Sequence, residues 1–139
     1  PPRRALDYSE MKIKNIDKAN DNYIKGNNLV FNIYKTSKQK GQQVLNIPKE
    51  LKSILNKWVK NNTTDYLLFD NKGNKLTSVK INQRFKKLFG KSFSVNMFRK
   101  LYLSDKYSNT MTEMKNLEKD MEKMGSSKSQ VQHYVKVDE

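Results

Sequence analysis

Apolar and polar residues alternate in three short segments of the first third of the chain, over residues 11–13, 29–34 and 44–47. A period of two is typical of strands that bury one face. Residues 26–28 (Gly-Asn-Asn) predict a turn, and the lysine-rich stretch 35–41 predicts a hairpin loop. The pattern therefore predicts a three-stranded antiparallel meander.

After residue 47 the apolar spacing becomes helical, which predicts helices over residues 48–60, 78–89, 94–107 and 112–124. Ser127 with Gln130 resembles a capping box that opens a last short helix. The predicted fold class is α+β, mainly α, with helices packed on a small three-stranded antiparallel sheet. Because no low-complexity linker divides the chain, residues 1–139 are predicted to form one domain.

Two apolar features at helical spacing are assigned to the core. Trp58 follows Leu51, Ile54 and Leu55, so it is expected to pack inside rather than to stack on a base. A second stripe lies near the end of the chain and is likewise expected to be buried. It comprises Met114, Leu117, Met121 and Met124.

The charge of the chain predicts a polyanionic partner. Lysine and arginine number 28 against 14 aspartates and glutamates, which gives a net charge of +14. DNA, RNA and an anionic membrane surface are the candidate partners. No apolar run is long enough to span a bilayer, and no signal peptide is recognised, so we expect an intracellular protein that is not secreted.

The chain contains no cysteine and one histidine, His133. Disulfides and thiolate metal sites are thereby excluded, and a His-rich zinc site is impossible. A reducing compartment, the cytoplasm or nucleus of a host cell, fits this composition. Catalysis without metal or cofactor would have to use arginine, lysine, tyrosine or carboxylates.

Cleavage of a phosphodiester without metal needs a nucleophile, cations around the non-bridging oxygens and an acid for the leaving 5′ oxygen. Tyr134 can be the nucleophile. Arg4 and Arg99 can hold the phosphate through planar forks that lysine lacks. Lys35, directly after a predicted strand, is the favoured acid.

Other lysines near Lys35 could serve as the acid or as simple phosphate contacts. The chain offers several further basic residues for contact with the DNA backbone. They are Arg3, Lys38, Lys40, Lys100 and Lys128.

In order along the chain, these residues resemble the conserved boxes of the tyrosine recombinases, the phage integrase family. The stretch 4–7 (Arg-Ala-Leu-Asp) resembles the first box, Arg-x-x-Glu/Asp, and 34–36 (Tyr-Lys-Thr) resembles the hairpin lysine. The stretch 96–99 (Asn-Met-Phe-Arg) resembles the second box, His-x-x-Arg. Residues 124–127 (Met-Gly-Ser-Ser) followed by Tyr134 resemble the terminal box. The form is closest to integrases of large eukaryotic DNA viruses and mobile elements.

The resemblance implies DNA recombination or integration through a 3′-phosphotyrosyl intermediate, with no cofactor and no metal. It implies double-stranded DNA as the partner and a tetramer on synapsed DNA, with a monomer in its absence. Because the family has helices and a DNA-clamping domain before the first arginine, we expect a catalytic domain truncated on its N-terminal side.

The chain departs from the family pattern at two positions. Asn96 stands where the second box has histidine, and Ser126 stands where the terminal box has histidine or tryptophan. Both are auxiliary candidates that can donate a hydrogen bond but cannot act as a base. Asp7 is expected to form a salt bridge with Arg4 or a neighbour, and His133 is expected to be exposed.

Two other functions stay open. A type IB topoisomerase shares this chemistry but relaxes supercoils without exchanging strands. A non-catalytic basic module would bind DNA through its lysines and arginines without cleaving it.

Overall fold

The computed structural model describes residues 1–126, so Lys128, His133 and Tyr134, together with the predicted last helix, lie outside the described residues. The chain divides into two compact units, Pro1–Arg99 and Lys100–Glu139. The fold class is α+β, about half helical, with a four-stranded mixed sheet and one long helix.

The sheet belongs to the first unit and has the order β1-β2-β3-β4, with β1 parallel to β2 and the other pairs antiparallel. The predicted three-stranded antiparallel meander is therefore wrong in strand number and in one strand direction. The second strand, over residues 22–25 (Asn-Tyr-Ile-Lys), was missed because its residues do not alternate between apolar and polar. The strands are β1 (Met11–Lys12), β2 (Asn22–Lys25), β3 (Asn28–Phe31) and β4 (Gln43–Asn46).

Two of the predicted helices are confirmed, and two short ones were not predicted. Thr77 caps the helix after it by accepting a bond from the Lys80 N–H at 3.3 Å. The stretch between β3 and β4 contains one helical turn rather than a plain hairpin loop. The helices of this region are α1 (Ala5–Ser9), α2 (Ser37–Lys40), α3 (Lys49–Asn61) and α4 (Ser78–Phe89).

One continuous helix, α5 (Val95–Lys123), replaces the two that were predicted on either side of residues 108–111. No glycine or proline interrupts this stretch. Thr112, at the start of the second predicted helix, donates its hydroxyl to the Ser108 carbonyl at 3.1 Å. Since that bond lies within the helix, Thr112 does not begin a new one.

The helix α5 ends at Lys123, close to the end predicted at residue 124. Gly125 has a φ of 71°, and the Ser126 N–H donates to the Met121 carbonyl at 2.8 Å, which closes a Schellman-type end. The methionine stripe is only partly buried. Met121 is 5% exposed, but Met114 is 39% and Met124 64% exposed, so the prediction of a core stripe is wrong at those two positions.

The first unit has two apolar clusters. One joins Ala5 of α1 to Leu76, Ile81 of α4 and Val95 at the start of α5. The other lies between the sheet and α3, with Met11, Phe31, Tyr34 and Leu67 at its centre. Together they fix α1, the sheet and the first turns of α5 in one folding unit.

The side chain of Asn22 is fully buried and connects three parts of this unit. Its amide nitrogen donates to the carbonyls of Asp7 at 3.1 Å and Ile33 at 2.8 Å. Its oxygen accepts from the backbone N–H groups of Asn32 at 2.8 Å and Ile33 at 2.7 Å. All four hydrogen-bonding positions of a buried amide are thus used within the protein.

Replacing Asn22 is expected to destabilise the fold strongly. Asn22→Ala leaves four backbone groups in buried or partly buried positions without this partner, so we expect a loss of about 3 kcal/mol in the free energy of unfolding. Urea denaturation followed by circular dichroism measures this loss. Asn56→Ala, at an exposed position of α3, is the control and should change the same quantity by less than about 0.5 kcal/mol. Equal effects of the two variants would contradict the role of the buried amide.

Candidate phosphate-binding site

Arg4 and Arg99 line the same cavity, although they lie far apart in the sequence. The cavity has a volume of about 220 Å³ and is also lined by Thr36, Lys40 and Gln43 from the segment between β3 and β4. The lining thus combines the N-terminal segment, the sheet and the beginning of α5. Of the three cations expected to surround the phosphate, Arg4 and Arg99 line this one concave surface and Lys35 does not.

The first arginine of this pair is placed by α1. Arg4 is the residue that precedes the helix, and its carbonyl accepts from the Asp7 N–H at 3.1 Å. The helix itself is anchored by Ser9, whose hydroxyl donates to the Leu76 carbonyl at 2.6 Å and is buried. Among residues 1–126, the Arg4 guanidinium has no ion pair and no hydrogen-bond acceptor. It is therefore available to an anion.

Arg3 lies beside Arg4 in sequence but is held inside the protein. Its Nε donates to Asp7 Oδ2 at 2.9 Å, and its Nη1 donates to Gln43 Oε1 at 2.6 Å. The guanidinium also lies 4.1 Å from the ring centroid of Phe31 and 4.7 Å from that of Tyr34. Because these contacts occupy the guanidinium within the protein, this arrangement does not favour the expected contact of Arg3 with DNA.

Asp7 is the acidic residue of the cavity lining, and it is 1% exposed. The salt bridge expected for this residue forms to Arg3, the neighbour of Arg4. Its second oxygen, Oδ1, has no hydrogen-bond partner in the described part of the chain. A buried carboxylate is destabilising unless it is paired with a cation, and the ion pair with Arg3 compensates the burial of Asp7 beside the cavity.

Arg99 is positioned by the beginning of α5. Val95 is buried and its N–H donates to Asn82 Oδ1 at 3.0 Å, while the Ser94 hydroxyl accepts from the Met97 N–H at 3.1 Å. Arg99 Nη1 donates to Asn96 Oδ1 at 3.3 Å. Since the Asn96 oxygen is taken by Arg99, the amide nitrogen of Asn96 remains as a donor. Within residues 1–126, Arg99 has no ion pair.

The lysine at the cavity is Lys40, not the favoured Lys35. The Tyr34 hydroxyl donates to the Gly41 carbonyl, and the chain between them turns through α2. This turn places Lys40 in the lining together with Arg4 and Arg99, whereas Lys35 and Lys38 do not line it. All three lysines are exposed. Sequence reasoning named all three lysines but preferred the one that directly follows the strand.

The remaining predicted residues lie in the second unit or outside the described residues. Lys100 is exposed and Ser126 is partly buried, both in the unit that begins at Lys100. Tyr134 and Lys128 fall outside residues 1–126, so the predicted nucleophile stays a prediction from sequence.

A second basic surface, on α4, was missed by the sequence reasoning. Lys80, Arg84 and Lys87 line a cavity of about 600 Å³ together with the turn that begins at Asp70. Their spacing of four and three residues places them on one face of a helix, which is a signal that the sequence offered.

The turn beside this surface is held by Asp70. Partial desolvation acts to raise the pKa of Asp70, but bonds from the backbone N–H groups of Asn74 and Lys72 and the charge of Lys80 outweigh it. The pKa therefore lies below its ordinary value, and the carboxylate stays charged at neutral pH.

Comparisons with known proteins add no identification: no family model, curated protein or solved structure matches the chain. In residues 1–126 there is no helix long and apolar enough to cross a bilayer. The same residues contain no group of three or more histidine, cysteine or acidic side chains able to hold a metal ion.

Neighbouring arginines are expected to respond differently to substitution. Arg3→Met leaves the buried Asp7 carboxylate unpaired, so we expect a loss of about 3–5 kcal/mol in the free energy of unfolding. Arg4→Met removes a guanidinium without an internal partner and should change it by less than about 0.5 kcal/mol. Urea titrations at equal ionic strength measure both values. The assignment of Arg3 as a support fails if the two variants are equally stable.

Proposed function

We propose that this protein cleaves and rejoins DNA strands, in recombination or integration, through a covalent tyrosyl phosphodiester. The observation that carries the proposal is the convergence of Arg4, Arg99 and Lys40 on one cavity. The two guanidinium groups have no anionic partner among residues 1–126. The resemblance of the sequence to tyrosine recombinases supplies the reaction type.

The two arginines would bind the scissile phosphate. Each guanidinium can donate two parallel hydrogen bonds to non-bridging oxygens, and its charge is permanent at neutral pH. Negative charge builds on those oxygens as the fifth bond to phosphorus forms. Removing one such donor typically costs about 10²- to 10³-fold in rate. The amide nitrogen of Asn96 is a further donor beside Arg99.

The nucleophile would be the hydroxyl of Tyr134. Its oxygen attacks phosphorus, the bond from phosphorus to the 5′ oxygen breaks, and a 3′-phosphotyrosyl link remains. Residues 1–126 contain no histidine, so an imidazole base for the phenolic proton can come only from His133. A 5′ hydroxyl from another strand reverses the same steps and releases the tyrosine.

We assign the general acid to Lys40. An ammonium group can give a proton to the leaving 5′ oxygen, and Lys40 is the lysine in the cavity lining. Lys35 is the matched alternative, since it lies in the same segment but outside the lining.

A non-catalytic DNA-binding module is the second candidate function. The observation that favours it is the additional basic surface of Lys80, Arg84 and Lys87, which could contact phosphates without any chemistry. A topoisomerase-like relaxation activity would use the same cavity, and only the fate of the cleaved strand separates it from strand exchange.

A nicked suicide substrate should trap a covalent protein–DNA adduct, because the short released fragment, which carries the free 5′ hydroxyl, diffuses away. The adduct is visible as a shifted band after denaturing electrophoresis. Tyr134→Phe should abolish it, while Arg4→Ala and Arg99→Ala should reduce its rate by about 10²-fold or more. If the protein only binds DNA, no adduct forms. Each arginine variant then lowers the slope of log K against log salt concentration by only about the contribution of one phosphate contact.

The adduct experiment also separates the two enzyme functions. Exchange between two labelled duplexes supports recombination. Relaxation of a supercoiled plasmid without any exchange would favour the topoisomerase-like activity.

Substitution of the acid should be rescued by a better leaving group. Lys40→Ala should slow adduct formation by about 10²-fold, because the 5′ oxygen then leaves without a proton. A substrate with sulfur in place of the bridging 5′ oxygen should restore the rate, since a thiolate leaves unprotonated. Arg4→Ala should not be rescued in this way.

Lys35→Ala is the control for this experiment and should cleave the ordinary substrate at the parent rate. The assignment is overturned if Lys35→Ala, rather than Lys40→Ala, shows the slow rate and the sulfur rescue.

A further inference from the structure

Gln43 lines the arginine cavity, the cavity that is also lined by Arg4 and Arg99. It is the first residue of β4, and Gln43 and Leu45, which share one face of that strand, both line the cavity. Val44 lies between them on the other face and is 52% exposed. The strand therefore directs the side chain of Gln43 toward the cavity, although the sequence reasoning gave this residue no role.

Arg3 determines which end of the Gln43 amide remains free. Arg3 Nη1 lies 2.6 Å from the amide, and a guanidinium can only donate, so the atom that it meets is the amide oxygen, Oε1. Turning the amide over would place an NH2 donor against the guanidinium, which is unfavourable. Arg3 is itself held by Asp7 Oδ2 at 2.9 Å. The NH2 group of Gln43, on Nε2, is thus fixed on the side of the amide away from Arg3.

The NH2 group of Gln43 has no acceptor among residues 1–126. Within the same residues, the side-chain polar atom that is buried without a partner is Asp7 Oδ1. Since Gln43 is half-buried and its Nε2 is not a buried atom, this nitrogen is accessible to a ligand. A donor that is already oriented needs little reorganisation when it binds an anion.

The chemistry of the other cavity residues indicates which ligand this donor fits. Arg4, Lys40 and Arg99 line the cavity and can only donate hydrogen bonds. The two non-bridging oxygens of a phosphodiester carry no proton at neutral pH, so they only accept. A neutral donor such as the Gln43 amide adds a hydrogen bond to such an oxygen without adding to the repulsion among the three cations.

We propose that Gln43 is a phosphate-binding residue of the arginine cavity, and that its Nε2 donates to a non-bridging oxygen of a phosphodiester. The identity of that phosphodiester as the scissile one of DNA rests on the proposed function. Negative charge builds on the non-bridging oxygens during cleavage, so the bond from Nε2 strengthens in the transition state and lowers the barrier. Arg3, which acts through Gln43, is a positioning residue.

Nuclear magnetic resonance tests this contact, because the NH2 group of a glutamine gives its own pair of proton signals. Loss of one pair in Gln43→Glu and of another in Gln42→Glu assigns the two residues. The probe is dimethyl phosphate, which carries the same two non-bridging oxygens as the DNA backbone. We expect a proton of the Gln43 pair to shift downfield and to saturate. The Gln42 pair should stay in place, because Gln42 Nε2 already donates to Asn32 Oδ1 at 3.0 Å. Sodium chloride at equal ionic strength should move neither pair.

Substitution of Gln43 tests the role of the donor in cleavage. Gln43→Glu keeps an oxygen for Arg3 Nη1, so folding should be preserved, but it replaces the NH2 donor with a second oxygen. It should slow formation of the covalent DNA adduct by about 10²-fold or more. Gln42→Glu changes the net charge equally at an exposed position that does not line the cavity, and should form the adduct at the parent rate. Circular dichroism should verify that both variants are folded.

The outcomes separate this proposal from the proposed function. An unchanged Gln43 pair, while the backbone signals of Arg4 and Arg99 move with dimethyl phosphate, would overturn the assignment of Gln43 alone. A parent rate of adduct formation in Gln43→Glu would do the same. Absence of any shift at all three residues would overturn the phosphate site and the proposed function with it. If the parent protein forms no adduct but the Gln43 pair shifts, DNA cleavage fails and Gln43 remains a phosphate-binding residue.

Discussion

The buried amide of Asn22 is the interaction on which the geometry of the first unit depends. It joins the Asp7 carbonyl, in the middle of α1, to the backbone that leaves β3. Arg4 directly precedes α1, and the segment after β3 leads to Lys40. Apolar packing alone could bring α1 to the sheet, but it is not directional. Four directional hydrogen bonds from one fully buried side chain define one arrangement of the two segments, which a cavity with aligned cations requires.

The adjacent residues Arg3 and Arg4 divide two tasks that a single arginine could not perform. Arg3 is consumed by Asp7, Gln43 and two aromatic rings, and so fixes the wall of the cavity. Arg4 precedes the helix, and its guanidinium has no ion pair in the described part of the chain. The same logic holds at the other side of the cavity, where Asn96 supports Arg99 without neutralising it. A neutral partner such as Asn96 can orient an arginine without cancelling its charge.

Local signals predicted part of this structure well. The helix bounds predicted near residues 78 and 124 lie close to the observed ends, because the capping at Thr77 and Gly125 depends on a few neighbouring residues. Neither the strand β2 nor the presence of Lys40, rather than Lys35, in the cavity lining could be predicted in this way. The reason for an asparagine at the start of β2 is its set of hydrogen bonds to distant segments, which the local sequence does not reveal. The position of Lys40 depends on how α2 turns the chain. Trp58 was predicted to lie in the core but is 45% exposed, because helical spacing alone does not tell a buried apolar face of α3 from an exposed one.

The cavity brings together three cations, Arg4, Lys40 and Arg99, on a chain of net charge +14. Within residues 1–126 none of the three forms an ion pair. Their mutual repulsion must oppose folding whenever the cavity is empty of anions. An anion that bridges them removes this repulsion only in the folded state, because the unfolded chain keeps the same residues far apart. Any anion that binds this cavity would therefore stabilise the folded unit, and folding would favour binding of that anion by the same free energy.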